Sequence, residues 1–519
     1  MEGARRGGRS IARAAVVLGL TLVVTDCRRQ SDGEKLARTY CAACHEFPEP
    51  QLLDKKTWLS GVLPQMAPRL GVTGNTLFDA RYQNPLMVVL PSSISKADWQ
   101  KIVAYYQESA PDSLPYQSLP AQPQVDPPYF QASAFAAGMQ SSGIITLLKV
   151  DSASERIFIG EAGSNTLRVF DWNRRLLSTT TLGSPPTDLI VQKDGVLVLE
   201  AGILNPNDQA RGSLVRYAFA GDSLRLDKVV LEGLIRPVFV RAFDFDKDGQ
   251  DEFVVCEFGN NVGRLALYKY DGSRYQRRIL DPNPGAIRFE IRDMTGDGAP
   301  DIVALFAQGN ERIELLVNDG KGNFGTDERI LARFPPVYGS MYFSMYDFNG
   351  DGKLDIVYVN GDNFDYSRIL KPYHGVRILE NDGSNNFRER YFFPVYGAAR
   401  AEVADFDRDG DLDMIVVSNF ADSQKHPERG IMYLENLAEA GVAGGAYKFR
   451  PYAFSAASSN QWNVSATADL NRDGFPDVIV GGMNLGSIGM AQGGYGSPAL
   501  KTGTTPVLFL QNLMTARRN

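Results

Sequence analysis

Five copies of one short acidic pattern limit what this chain can fold into more than any other feature of its sequence. In each copy, oxygen-bearing side chains stand at positions 1, 3 and 5, a glycine at position 6 and an Asp or Glu at position 9. The copies begin at Asp244, Asp293, Asp347, Asp405 and Asp469. Oxygen ligands at this spacing can surround Ca²⁺ at about 2.4 Å, because the glycine permits a sharp turn. The sequence therefore predicts five calcium loops.

The candidate calcium ligands are the side chains at positions 1, 3, 5 and 9 of these loops. They are Asp244, Asp246, Asp248, Glu252, Asp293, Thr295, Asp297, Asp301, Asp347, Asn349, Asp351, Asp355, Asp405, Asp407, Asp409, Asp413, Asp469, Asn471, Asp473 and Asp477. Most of them are carboxylates, which repel one another when no cation lies between them. Because the chain already has a formal net charge of -7, we expect up to about five calcium ions to stabilise the fold rather than to take part in catalysis.

The segments after the loops distinguish the pattern from an EF-hand. An EF-hand loop ends in a bidentate Glu at position 12 and leads into a helix, whereas position 12 here is Val, Ala or Tyr. The following residues, such as 252–257 (EFVVCE) and 355–360 (DIVYVN), are rich in β-branched and aromatic side chains and predict buried strands. Successive loops begin 49, 54, 58 and 64 residues apart, which is the length of a four-stranded propeller blade with growing insertions.

These repeats resemble the FG-GAP and VCBS repeats, a family whose members form the blades of a β-propeller. The resemblance implies a large all-β propeller over residues 129–519. Two further groups of strands, at 144–170 and 187–217, have a similar length but lack the calcium pattern. We therefore expect about seven blades, five of which carry calcium loops.

A haem attachment motif lies near the other end of the chain, at Cys41-Ala-Ala-Cys44-His45. Two thiols at this spacing can add to the vinyl groups of a porphyrin while the next histidine binds the iron. A C-x-x-C pair can also be a redox dithiol or half of a zinc site. A second Cys pair and a thioredoxin-like βαβ pattern are both absent from the sequence. The motif therefore predicts one covalently bound haem c.

Residues 28–110 resemble a small all-α class I cytochrome c domain. Residues 34–40 can form a helix before the haem motif, and Ser95 and Asp98 form a capping box that opens a second helix with one apolar face. That helix ends before Pro111. The resemblance implies that these two helices cross behind the haem.

Two methionines are candidates for the sixth iron ligand, because His45 is the only histidine before position 374. The segment 58–71 (WLSGVLPQMAPRLG) resembles the ligand loop of exported monohaem proteins, which implies Met66 as the ligand. Met87 is the alternative, since it precedes the second helix as the ligand usually does in class I cytochromes. A thioether ligand favours ferrous iron more than a second imidazole does, so we expect a readily reduced haem.

Residues 1–27 resemble an export signal. Four arginines precede an apolar run at 14–24 that is too short to span a bilayer. Cys27 stands where a bacterial lipoprotein signal has its lipidated cysteine, although Asp26 replaces the small residue expected there. We expect an exported protein in the periplasm or at the outer membrane or cell surface, with Cys27 as the candidate point of membrane attachment.

Two regions of the remaining sequence bear on domain organisation. Residues 111–128 contain six prolines and no helical or strand period, which predicts a semi-rigid linker. Residues 360–375 (NGDNFDYSRILKPYHG) form an insertion that we expect to pack on a neighbouring blade, although such loops also build partner sites. The sequence of this insertion resembles that found in exported monohaem cytochromes c fused to an FG-GAP or VCBS propeller, so the resemblance spans nearly the whole chain.

The sequence thus predicts an electron carrier that works with a redox partner protein, with the propeller as its docking platform and no catalysis of its own. The alternative is a quinoprotein-like dehydrogenase whose propeller passes substrate electrons to the haem. That alternative needs a histidine base, and the propeller offers only His374 and His426. Because no basic surface is evident in this acidic chain, we expect no nucleic-acid partner.

Overall fold

The computed structural model describes residues 30–72, 94–136, 139, 143–325, 329–363, 369–437, 447–483 and 505–514. Within these residues a small helical unit precedes a ring of seven β-sheets. No helix in this part of the chain combines the length and the apolar character needed to cross a bilayer.

The described part of the helical unit contains four α-helices. They are α1 (Asp32–Cys41), α2 (Lys55–Thr57), α3 (Leu63–Arg69) and α4 (Lys96–Ser109), with a 3₁₀ turn at Pro50–Leu52 and a π turn at Trp58–Val62. Helix α4 begins where the capping box predicts, because the Ser95 side chain accepts a hydrogen bond from the Asp98 amide at 3.1 Å. In α1 the Ser31 side chain caps the first turn in the same way.

Helices α1 and α4 cross at Gly33, which is buried. A Cβ atom at this position would lie 2.3 Å from the backbone oxygen of Lys101, so only glycine permits this close approach. Ala37, Trp99 and Tyr106 fill the core beside the crossing. The unit therefore has its own hydrophobic core, in which the first and last helices are the principal partners.

Each of the seven sheets contains a propeller blade of four antiparallel strands, and one sheet has an additional fifth strand. Blades 1 to 3 are β3 (Ile145–Asp151), β4 (Arg156–Glu161), β5 (Thr166–Asp171), β6 (Leu176–Thr181); β7 (Pro186–Gln192), β8 (Gly195–Glu200), β9 (Gly212–Ala220), β10 (Ser223–Leu234); β11 (Pro237–Phe243), β12 (Glu252–Glu257), β13 (Arg264–Tyr270) and β14 (Tyr275–Asp281). Blades 4 and 5 are β15 (Ala286–Arg292), β16 (Asp301–Phe306), β17 (Arg312–Leu316), β18 (Arg329–Arg333); β19 (Ser340–Tyr346), β20 (Asp355–Asn360), β21 (Gly375–Asn381) and β22 (Phe387–Pro394).

Blades 6 and 7 complete the ring. They are β23 (Ala398–Ala404), β24 (Asp413–Ser418), β25 (Ile431–Asn436), β26 (Phe449–Ala453); β27 (Trp462–Ala468), β28 (Asp477–Gly482), β29 (Val507–Asn512) and β2 (Phe130–Ala134). Two 3₁₀ turns, Pro427–Gly430 and Ser455–Ser459, lie at this end of the chain. The prediction of about seven blades is confirmed.

The second strand of each blade is buried on both faces, because it lies between two neighbouring blades. All six residues of β12, β16, β20, β24 and β28 are buried. This explains why the segments after the acidic loops read as continuous apolar runs rather than as alternating ones.

The ring is closed by a strand from the far end of the sequence. The strand β2 pairs antiparallel with β29, with Phe130 opposite Asn512, so blade 7 combines both ends of the propeller domain. The first strands of blades 7 and 1 are in contact, and Ile144 forms a bridge with Met483. Long-range pairing of this kind removes the exposed edges that an open ring would leave.

The proline-rich linker was predicted to contain no strand, but the structure shows one. Gln124–Val125 form a short strand β1, which pairs in parallel with β26 of blade 6. Gln117 is buried, and its amide group donates hydrogen bonds to the carbonyl oxygens of Pro372 and His374 at 3.2 and 2.7 Å. The linker therefore packs along the propeller. Its hydrogen-bond partners are carbonyl oxygens of a distant segment, which the periodicity of the linker sequence does not indicate.

Candidate functional site

The Cys-x-x-Cys-His motif lies at the C-terminal end of α1. Cys41 is the last residue of the helix and packs against the core of the helical unit, whereas Cys44 is exposed in the following turn. Both thiols are free of disulfide bonds. Burial raises the pKa of Cys41 to about 11, so this thiol is protonated at neutral pH.

His45 is held with one ring nitrogen turned to the backbone. Its Nδ1 lies 2.8 Å from the carbonyl oxygen of Glu46, which makes Nδ1 the protonated nitrogen and leaves a lone pair on Nε2. Burial lowers the pKa of His45 and so favours the neutral imidazole. Two free thiols and a neutral imidazole in this order are the groups that a covalently attached haem requires.

A buried donor without a partner lies in the same core. Trp99 is 2 % exposed, and its Nε1 makes no hydrogen bond within the part of the chain that the structure describes. Buried indole N–H groups are normally paired, so this one fits an acceptor carried by a bound group. The helical unit therefore offers both attachment groups and an unused donor.

The structure places one of the two methionine candidates. Met66 lies on α3 and packs against the hydrophobic cluster that also holds Cys41 and Phe47. Met87 lies outside the described residues. Met66 thus packs against the same hydrophobic core as Cys41.

The helical unit packs against loops of the propeller. The Tyr373 hydroxyl donates a hydrogen bond to the Leu52 carbonyl at 3.0 Å, and Val337 and Ile369 contact the core of the helical unit. Tyr373 and Ile369 belong to the insertion that we expected to pack on a neighbouring blade. The described part of this insertion contacts the helical unit, a contact that sequence reasoning missed because it depends on the arrangement of two domains.

The five acidic loops connect the first and second strands of blades 3 to 7 and therefore lie at one face of the ring. We number them loop 1 (244–252), loop 2 (293–301), loop 3 (347–355), loop 4 (405–413) and loop 5 (469–477). In each loop the carboxylate at position 1 accepts the amide of the glycine at position 6, at 2.8 to 3.2 Å. These glycines have φ between 80° and 98°, which explains their presence at position 6.

The acid at position 9 fixes each loop to its blade. Asp301, Asp355, Asp413 and Asp477 are 0 % exposed. One carboxylate oxygen accepts the amide of position 2, and the other accepts the amide of an asparagine at the end of the third strand or just beyond it. The sequence predicted these acids as ligands only, and the anchoring role was missed because it requires the register of the third strand.

Two loops bring three carboxylates close together. Oxygen atoms of Asp244, Asp246 and Asp248 in loop 1 lie within 4.8 Å of one another, as do those of Asp405, Asp407 and Asp413 in loop 4. In loop 4, burial and neighbouring carboxylates raise the pKa of Asp413 to about 8. A cation would relieve this repulsion, so loop 4 has the electrostatics of a divalent cation site.

Loop 1 differs because a lysine lies among its carboxylates. The Lys269 ammonium group contacts Asp246, and it lies 2.7 Å from Asp248 Oδ2 and 3.2 Å from Glu252 Oε1. These ion pairs raise the pKa of Lys269. In the other blades the same register position holds Val317, Glu380, Glu435 or Gln511. Loop 1 therefore supplies its own counter-ion.

Comparison with known proteins identifies the repeats. Residues 244–304 and 293–358 match the FG-GAP-like repeat, so the chain contains FG-GAP-like repeats within a seven-bladed β-propeller. Integrin alpha-V of Gallus gallus is 22 % identical over 243 residues, which cover 42 % of this chain and 23 % of the integrin. The chain thus matches less than a quarter of that relative's length.

Several solved structures also align with the chain. The Dos1 propeller covers 71 % of this chain and 77 % of its own, with a TM-score of 0.41 and 9 % identity. A putative 6-phosphogluconolactonase from Bacteroides fragilis covers 60 % and 84 %, with a TM-score of 0.40 and 12 % identity. A luciferin-regenerating enzyme covers 74 % and 96 %, with a TM-score of 0.37 and 9 % identity.

Proposed function

We propose that this protein is an exported c-type cytochrome that relays single electrons through one haem attached to Cys41 and Cys44. The observation that carries the proposal is the end of α1, where two free thiols precede a neutral imidazole whose Nδ1 is engaged by Glu46. His45 Nε2 is then the proximal iron ligand. Bound haem supplies a one-electron Fe(III)/Fe(II) couple.

Residues around the motif support this assignment through their packing and through one unpaired hydrogen-bond donor. The close crossing at Gly33 holds α1 and α4 together on one side of the motif. The unpaired Trp99 Nε1 offers a donor for a haem propionate. Met66 packs in the same core and is our candidate for the sixth ligand, with Met87 as the alternative.

A covalent-haem assay tests the proposal directly. Protein produced in a host that matures c-type cytochromes is denatured, separated from free haem and examined for haem colour and mass. Wild type should retain one haem, and a Cys41→Ser/Cys44→Ser double variant should retain none. Cys256→Ala is the matched control, since this third described cysteine is buried in blade 3. Release of all colour from denatured wild type into acid acetone would refute the proposal.

The sixth ligand has a separate spectroscopic test. A methionine sulfur on ferric haem gives a weak long-wavelength absorption band, which Met66→Ala should abolish. A thioether ligand also raises the potential relative to a second imidazole, so the variant should be harder to reduce. If the band survives in Met66→Ala and disappears in Met87→Ala, then Met87 is the ligand.

The propeller serves in this proposal as a calcium-stabilised docking platform for a redox partner protein. The FG-GAP-like repeats and their similarity to part of an integrin support an interaction role and an exported location. The signal-like residues 1–27 agree with export to the periplasm or cell surface, and Cys27 is the proposed lipid anchor. Residues 1–27 lie outside the described residues. A membrane-fractionation assay of Cys27→Ala tests the anchor.

We favour electron transfer over substrate oxidation by the propeller because of the two propeller histidines. His374 is 1 % exposed, and burial holds its pKa well below the usual value. His426 pairs with Glu428 at 3.2 Å beside the linker residue Tyr116. Buried His374 cannot be reached by a sugar or an alcohol, which leaves partly exposed His426 as the single propeller histidine that could act as a base. Reduction of the haem by such substrates in the presence of a quinone cofactor would overturn this preference.

A further inference from the structure

The centre of the propeller is lined by the first strands of its seven blades, and these strands contact their neighbours all round the ring. Side chains alternate along a strand. Val240, Phe289 and Phe343 are buried between the blades, so the residues on either side of each project towards the centre. We call the space between these residues the central channel.

Four basic side chains from four blades meet in this channel. They are Lys149 on β3, Arg241 on β11, Arg288 on β15 and Arg400 on β23. Lys149 and Arg241 occupy the same register position of their blades. Arg288 and Arg400 share the position two residues earlier in the strand. Their guanidinium groups lie 4.4 and 4.8 Å from the centre of the Tyr342 ring. The channel therefore gathers positive charge at two adjacent levels.

Each arginine has an acidic neighbour. Arg241 pairs with Asp188 at 2.7 Å, and Arg400 pairs with Glu402 at 2.8 Å. Arg288 donates to the Phe343 carbonyl at 2.9 Å and lies 3.4 Å from Glu290. Glu290 is also paired with Arg292 at 2.6 Å. The three acids are thus occupied by arginines.

Lys149 is the exception. Within the described part of the chain its ammonium group has no hydrogen-bond or ion-pair partner, although its surroundings are largely buried. Burial and Arg241 lower the pKa of Lys149, Asp188 acts in the opposite direction, and Arg400 and Arg288 add to the lowering, so the four basic groups and Asp188 lie close enough to affect one another. The Lys149 side chain is partly exposed, and an accessible ammonium group without a protein partner can form charge-assisted hydrogen bonds with an anion.

A second unpaired group lies at the same register position as Lys149. Ser344 on β19 is 2 % exposed, and its Oγ has no partner among the described residues. The strand pairing aligns Ser344 with Arg241 and Lys149. An unused hydroxyl donor on blade 5 and an unpaired ammonium on blade 1, at one level of the channel, together complement an oxygen-rich anion between them.

We propose that the central channel binds a small oxyanion, with Lys149 and Ser344 as its direct contacts and Arg241, Arg288 and Arg400 as the surrounding positive field. The Arg241 and Arg288 guanidinium groups lie 3.9 and 5.2 Å from the centre of the Phe239 ring, so the basic groups converge on one place, as a single small ion requires. Sulfate-like ions and small dicarboxylates share the required chemistry. The site depends on neither haem nor calcium, and it therefore extends beyond the proposed electron-transfer role.

Calorimetric titration of the full chain with sulfate and, separately, with succinate tests this site. Wild type should bind at least one of the two ions with one ion per chain. Lys149→Met should weaken that binding about ten- to a hundredfold, because a charge-assisted hydrogen bond is lost. Ser344→Ala should weaken it about two- to tenfold. Lys228→Met, which removes an exposed lysine on the outer strand β10, should leave the affinity unchanged.

The outcomes separate the sources of the ion from failure of the proposal. Tighter sulfate binding indicates an inorganic ion, tighter succinate binding indicates a carboxylate ligand, and either supports the site. Absence of binding heat for both ions in wild type would overturn it. Equal affinity in wild type and Lys149→Met would also overturn it. If Lys149→Met does not fold, Ser344→Ala decides, because that change removes only one oxygen atom.

Discussion

Replacing Lys269 by Met should create a calcium site in loop 1. The ammonium group of Lys269 lies 2.7 Å from Asp248 and 3.2 Å from Glu252, among the carboxylates that would otherwise bind the ion. In wild type we therefore expect about four calcium ions per chain, in loops 2 to 5, since a lysine and Ca²⁺ cannot occupy one cage. Lys269→Met should bind one more ion.

The stability change should reverse sign with calcium. The Lys269 side chain is 40 % exposed, so loss of its ion pairs should cost about 1 kcal/mol in the presence of a chelator. With free calcium at about 100 times the dissociation constant of loop 1, binding should return about 2.7 kcal/mol. The variant should thus be slightly less stable than wild type in chelator and more stable in calcium.

Equilibrium dialysis with elemental analysis measures the number of ions, and denaturant unfolding in chelator and in calcium measures the two stabilities. The reciprocal variant Gln511→Lys, at the aligned position of loop 5, should lose one ion. Lys228→Met serves as the charge-matched control because this lysine is exposed and remote from the loops. An equal ion count for wild type and Lys269→Met, with calcium in loop 1 of both, would refute the reasoning.

Three further changes test other parts of the structure. Asp413→Ala should destabilise the calcium-free protein by about 2–5 kcal/mol in denaturant unfolding, because buried donors lose their acceptor, whereas Asp297→Ala at an exposed position should cost less than about 1 kcal/mol. Gly33→Ala should destabilise the helical unit by about 1–3 kcal/mol and reduce haem incorporation, since its Cβ would lie 2.3 Å from a backbone oxygen of α4. Lys35→Ala on the exposed face of α1 is the control, and equal haem yields for the two variants would contradict the packing argument. Burial raises the pKa of Glu311 to about 8, so its contribution to stability is present at acid pH and is lost as pH rises through about 8; thermal unfolding should show this loss in wild type but not in Glu311→Gln.

The local parts of the fold were predictable because each is encoded within one short segment. The spacing of the acidic loops and the apolar runs after them predicted a blade for every loop, and the capping box at Ser95 predicted the start of α4. Both signals rest on neighbouring residues that contact one another in the folded chain.

The long-range parts were not predictable in the same way. Closure of the ring by β2 depends on the pairing of Phe130 with Asn512, and the sequence of neither segment indicates which strand it pairs with. The docking of Gln117 on the carbonyl of His374 is of the same kind. Such contacts form only once the other blades have set the distance between the two segments.

The lysine in loop 1 was missed although its signal is present in the sequence. The end of the third strand reads Val317-Asn318, Glu380-Asn381, Glu435-Asn436 and Gln511-Asn512 in blades 4 to 7, but Lys269-Tyr270 in blade 3. The loop sequences alone predict five equivalent sites, because Lys269 lies 17 residues after Glu252, the last residue of loop 1. Aligning whole blades would have exposed it, since strand register brings Lys269 onto the loop.

The strand connections also separate the two proposed metal centres in space. In an antiparallel blade, the turn from the first to the second strand and the turn from the second to the third lie at opposite ends. The acidic loops use the first kind of turn, whereas Tyr373 and Ile369, which contact the helical unit, lie in the second kind. The proposed calcium loops therefore lie at one face of the ring, and the helical unit packs at the other. If both proposals hold, the acidic loops stabilise the propeller on which the helical unit packs and take no part in the proposed iron chemistry.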